Sequence, residues 1–112
     1  MYDLLLKGGT VVDPSVGLHG VQDIAVQDGK IARIAPTIPR EEARRVHEVA
    51  DKIVTPGLID LHAHVFDGFT GNGVHPDLGG VYAGVTTLVD AGSSGCATFA
   101  GFPRHIDRKS VV

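Results

Sequence analysis

The sequence predicts a mixed α/β protein in two parts, a small β-sheet unit followed by the start of a βα-type unit. Three observations carry that expectation. Short β-branched and apolar runs separated by turn residues fill the first fifty residues. The dipeptide Asp28-Gly29 between two such runs is a hairpin signal, since a type I′ turn needs positive φ at both central residues. Beyond Pro56-Gly57 the order changes to strand, short helix, strand, with the second strand almost wholly apolar.

In chain order, strands are expected over residues 2–7, 10–12, 23–27, 30–35 and 45–49, forming a small antiparallel sheet. Gly8-Gly9 and Asp13-Pro14 mark bends between them. Across the hairpin, Ile24 and Val26 should face Ile31 and Ala35. Glu41-Glu42-Ala43-Arg44-Arg45 reads as a solvated charged loop. Thr55-Pro56-Gly57 breaks the sheet and sets the unit boundary, so that residues 1–55 form one unit and residues 56–106 the next. The strand Leu58 to Val65 follows, then a Gly-rich loop from Asp67 to Gly73. A helix is expected to start near Pro76, which suits a first helical turn, and to stop at Gly84. Val85-Thr86-Thr87-Leu88-Val89 has the composition of a strand buried on both faces.

Composition narrows the partners. The 112 residues carry ten basic and thirteen acidic side chains, a formal charge of −3, and 43% hydrophobic residues. No basic run offers a footprint for nucleic acid or anionic lipid, so neither nucleic acid nor membrane is an expected partner. A small-molecule substrate is expected, and nothing forbids a homo-oligomer of the full-length protein. A lone cysteine, Cys96, forms no internal disulfide and reads as a small buried thiol in a cytoplasmic protein. The first residues, Met1-Tyr2-Asp3-Leu4-Leu5-Leu6-Lys7, hold an apolar run too short for a signal peptide or membrane span.

The chemistry concentrates in Asp60-Leu61-His62-Ala63-His64. Residues two apart on a strand project from one face, so Asp60, His62 and His64 are expected on one side and Leu61, Ala63 and Val65 on the other. Two neighbouring imidazoles can converge on one divalent cation, with zinc as the natural occupant. A bare His-x-His also arises on an ordinary polar strand face. His75, in a loop beside Pro76, reads more simply as a solvated histidine than as a substrate contact.

Pro56-Gly57-Leu58-Ile59-Asp60-Leu61-His62-Ala63-His64, the stretch Leu6 to Asp13 and the Asp28 to Ile31 hairpin together resemble the amidohydrolase superfamily, over nearly the whole chain to Ile106. The resemblance implies the N-terminal part of a small β-sandwich domain, followed by the first one or two βα units of a truncated TIM barrel. His62 and His64 would be metal ligands at the C-terminal mouth of the barrel. Asp60 would lie one layer deeper and orient a ligand, or else be a core-facing carboxylate satisfied by backbone groups. A divalent metal, zinc by expectation, would polarise the scissile carbonyl and acidify water. The family supplies a carboxylated Lys or Glu, two more His and an Asp from later strands, so this chain is expected to be an N-terminal fragment, inactive alone and without catalytic residues of its own.

Within the superfamily, dihydroorotase-like members carry an Arg two residues after the second His to hold the substrate carboxylate, whereas this chain has Phe66. The run Gly84 to Gly95, with Phe99 and Gly101-Phe102 beyond it, resembles the deacetylase-like members. There Gly92 to Gly95 would shape the substrate pocket or be a plain Gly/Ser turn. The expected reaction is therefore hydrolysis of a non-peptide amide or an ester. A cyclic-amide hydrolase and a non-enzymatic β-rich binding module are the alternatives. Residues 107–112, Asp-Arg-Lys-Ser-Val-Val, correspond codon by codon to the sequencing-adapter stretch GATCGGAAGAGCGTCGTG, and are expected to be a non-native tail.

Overall fold

The computed structural model describes residues 1–107 and divides into two compact units that meet between Pro56 and Gly57. The expected tail, residues 107–112, lies outside the described residues except for Asp107.

In the first unit, β1 (Leu4–Asp13) pairs antiparallel with β2 (Leu18–Gln27), which pairs antiparallel with β3 (Lys30–Ala35). Asp28 and Gly29 take φ of 51° and 71°, as a type I′ hairpin requires. Val26 lies opposite Ile31, but Ile24 lies opposite Ile34 and Ala35 opposite Asp23, because a bulge in β3 shifts the register between them.

Two expectations for this sheet are corrected. The sheet is mixed, since β4 (Val46–Glu48) and β5 (Ile53–Val54) both run parallel to β1 and pair with successive stretches of its other edge. Gly8-Gly9 does not separate two strands either. It forms a bulge inside one continuous strand, where Lys7 and Gly8 together oppose Asp23 and Gly8 takes φ of +78°. The core is small, with Leu5, Ala25 and Ile38 fully buried and Tyr2, Ala35, Ala43 and Val46 packed around them. Ala43 thus leaves the otherwise solvated charged segment to join the core.

The second unit holds a parallel pair, β6 (Leu58–Ala63) and β7 (Val85–Asp90). The crossover between them carries α1 (Pro76–Gly79) and a 3-10 turn over Val81–Ala83 that ends at Gly84 in the left-handed region. His75 caps α1, its Nδ1 accepting the Asp77 N–H at 3.2 Å, so the residue read as a solvated loop histidine has a local structural task. Val65, Phe66 and Ile106 form the core, with Ala63, Leu88 and Phe102 against it. Phe66 is 1% exposed and stacks on Phe69 with ring centroids 4.4 Å apart.

Two further corrections belong here. β7, expected to be buried on both faces, is largely open, as is its partner β6. Ile59, Leu61 and Val89 are exposed, because two strands and one crossover cannot cover both faces of a parallel pair. Cys96, read as a buried thiol, is exposed, lying in an irregular stretch outside the core. Among the described residues no helix is long and apolar enough to cross a membrane.

Candidate metal centre

The parallel pairing of β6 with β7 sets the site. Its register runs from Asp60 opposite Leu88 to Ala63 opposite Asp90, so β6 holds one residue more than β7 between those pairs. The simple two-residue alternation expected for Asp60, His62 and His64 is therefore interrupted by a bulge. Asp60 offsets its cost locally, as Oδ1 accepts the His62 N–H at 2.9 Å, a carboxylate bonding the amide two residues on. Asp60 thus acts on the His62 backbone, and its side chain is exposed rather than core-facing.

The bulge leaves the two rings together. His62 and His64 have centroids 5.4 Å apart at an interplanar angle of 85°, an edge-to-face arrangement. His62 is exposed and His64 half-buried.

His64 is fixed from three sides. Its carbonyl accepts the Val74 N–H at 2.9 Å, the amide of the next residue, Val65, donates to Asp90 Oδ2 at 2.9 Å, and its Nδ1 lies 2.9 Å from Ser93 Oγ. Asp90, the last residue of β7, also accepts the Ser93 N–H on Oδ1 at 2.6 Å. Burial would push the Asp90 carboxyl up. The amides of Val65 and Ser93, the Ser93 hydroxyl and the neighbouring His64 outweigh it and hold Asp90 below its ordinary value.

Both imidazoles fit a divalent cation by donor type and mutual approach. With Nδ1 engaged on Ser93, His64 has Nε2 left for a ligand bond. Among the described residues no group of three or more His, Cys, Asp or Glu side chains is gathered, so these residues bring two metal-type donors rather than the three protein ligands usual for catalytic zinc. Sequence reasoning read Gly92 to Gly95 as a pocket-shaping stretch or a plain turn and gave neither Ser93 nor Asp90 a role at the histidines. The available signal was a carboxylate at the C-terminal end of the strand beside the His-x-His strand.

No family model matches the chain. A deacetylase from Enterococcus faecalis (strain ATCC 700802 / V583) is 36% identical over 102 residues, covering 90% of this chain and 26% of its own length. A solved dihydroorotase is 35% identical with a TM-score of 0.77, over 98% of this chain and 29% of its own. A solved D-aminoacylase, described as having a binuclear metal centre, is 34% identical with a TM-score of 0.64, over 80% of this chain and 18% of its own. The chain spans 14% to 26% of the length of the curated relatives it matches. The likeness runs through both units and includes the strand that bears the paired histidines, and on these grounds the chain belongs to the amidohydrolase superfamily.

Proposed function

We propose that this chain forms part of a metal-dependent hydrolase that cleaves a non-peptide amide or an ester in a small molecule, of the deacetylase-like kind. The observation that carries the reading is the edge-to-face pair of His62 and His64, with the His64 Nδ1 already occupied. His62 and His64 would hold the cation, zinc by preference, while Asp60 sets the backbone at His62. A cation bound there supplies polarisation of a carbonyl and acidification of water. The unit from Gly57 onward would open a TIM barrel with this site at the C-terminal ends of its strands. The first unit, residues 1–55, would be part of a β-sandwich. With two imidazoles alone the isolated chain is inactive, and the remaining ligands come from residues outside it.

Phe66 favours the deacetylase-like branch. It sits where dihydroorotase-like members hold the substrate carboxylate, and it is fully packed among Phe69 and Phe102. The cyclic-amide reading is kept by the likeness of the chain to dihydroorotases, in sequence as well as in fold.

The test is to assay the full-length protein, stripped by chelator and then reloaded with Zn²⁺, against N-acetyl amino acids, acetyl esters and cyclic ureides. Zinc-restored cleavage of the first two classes is expected. Turnover of cyclic ureides alone would move the protein to the second branch, and turnover indifferent to metal would overturn the reading altogether.

A further inference from the structure

One carboxylate joins the two strand ends at the paired histidines. We propose that Asp90 is a positioning residue for the cation: by bonding the amides of Val65 and Ser93 it fixes the backbone of His64 and the place of its ring. This inference rests on the metal-binding reading above.

The direction of a side chain is set first by the two peptide planes that flank its Cα, because each plane is rigid and only φ and ψ turn between them. Both planes of His64 are held from outside β6. In the plane before it, the Ala63 carbonyl accepts the Ala91 N–H at 2.8 Å. In the plane after it, the His64 carbonyl accepts the Val74 N–H at 2.9 Å, and the Val65 N–H donates to Asp90 Oδ2 at 2.9 Å. Little freedom is left except rotation of the side chain itself. That rotation is met by Ser93 Oγ, 2.9 Å from His64 Nδ1, whichever of the two atoms carries the proton.

Asp90 acts at both levels. Its Oδ2 reaches 25 residues back to the plane after His64, while Oδ1 takes the Ser93 N–H at 2.6 Å, three residues on. The second bond places the residue whose hydroxyl meets the ring. A carboxylate that only closed its own turn would need one oxygen. Here the two oxygens divide between ligand strand and loop, so a side chain with a single acceptor can serve one amide and strands the other. His62 is held differently, its N–H donating to Asp60 within the same strand. Loss of Asp90 should therefore disturb one ligand directly and leave the anchor of the other in place.

The experiment uses the full-length protein as wild type, Asp90→Asn, Asp90→Ala, Ser93→Ala and the Asp90→Ala/Ser93→Ala double variant. Zn²⁺ affinity is read by competition with a chromophoric chelator, ligand geometry by the visible d–d bands of the Co²⁺-loaded protein, and folding by thermal melts. Hydrogen exchange of the metal-free protein reads the amides. Metal-free wild type should protect Val65 and Ser93. Asp90→Ala should bind Zn²⁺ about 10- to 100-fold more weakly and shift the Co²⁺ bands, with Asp90→Asn, which keeps one acceptor, in between. Ser93→Ala should weaken Zn²⁺ binding with an unchanged melt, and should cost less when Asp90 is already Ala, since both act on one ring. Free exchange of both amides in metal-free wild type overturns the proposal, a measurement that stands even if a variant misfolds. Wild-type affinity and Co²⁺ bands in Asp90→Ala overturn it too, as do additive losses in the double variant. Those results leave the metal-binding reading intact, whereas a wild type that takes up no Zn²⁺ removes that reading and this proposal together.

Discussion

Asp23 Oδ1 accepts the Gly8 N–H at 2.8 Å across the point where two residues of β1 face one of β2. Its Oδ2 takes the Lys7 ammonium at 2.6 Å and the Ile38 N–H at 2.8 Å, all at a residue 2% exposed. One buried carboxylate therefore stitches the bulge, its neighbouring lysine and the segment after β3. Replacing Asp23 with Ala should lower the stability of the first unit by about 2 to 4 kcal/mol, because two amides lose their acceptor and the half-buried Lys7 ammonium keeps only the Ile38 carbonyl. Denaturant unfolding of the full-length protein measures this, and a loss under about 1 kcal/mol would show that the network is dispensable.

The same residue gives a pH dependence. Burial would raise the Asp23 carboxyl, but the hydrogen bonds from Lys7, Ile38 and Gly8 and the lysine charge hold it below its ordinary value. A group depressed in the folded state contributes stability fully present above its unfolded value of about 3.9, and loses it as pH falls through the lower folded value. The stability difference between wild type and Asp23→Asn should therefore be constant from neutral pH to about 5 and shrink below about 4. A difference that grows on acidification would contradict the assignment.

Phe66 fills the second core against Phe69 and Phe102. Introducing Phe66→Arg, the residue that dihydroorotase-like members carry near this point, should destabilise the second unit by burying an unpaired guanidinium rather than create a carboxylate clamp. Proteolysis and thermal melts should show the loss. A stable variant with new activity on cyclic ureides would show that the position opens onto substrate.

His62→Ala and His64→Ala should each reduce the bound zinc of the purified full-length protein to a small fraction of wild type, read by elemental analysis, with turnover falling in parallel. Full zinc content in both variants would place the metal elsewhere.

The isolated 112-residue chain should bind a hydrophobic dye and self-associate at micromolar concentration, because Leu61 is 74% exposed, Ile59 60% and Tyr82 79% around an open parallel pair. Sedimentation as a monodisperse, dye-silent monomer would refute this.

What was legible in the sequence was local. The Asp28-Gly29 hairpin, the start of α1 at Pro76 and the span of β7 to within a residue all follow from turn chemistry and β-branched runs. What escaped depended on partners far along the chain. Gly8-Gly9 reads as a break unless one knows that the Asp23 carboxylate waits opposite to receive the freed amide. The parallel pairing of β4 and β5 with β1 leaves no mark on three- and two-residue strands. The bulge between Asp60 and Ala63 defeats a strict alternation argument, yet the two rings still meet.

His64 is oriented by a residue 29 positions later, across a strand boundary. A synthetic peptide copying Asp60 to His64 would thus keep the donors and lose the Ser93 contact that holds the His64 ring. Anyone transplanting this site into another scaffold has to carry two neighbouring strand ends and the loop between Asp90 and Ser93, because the unit of inheritance is the junction and not the motif.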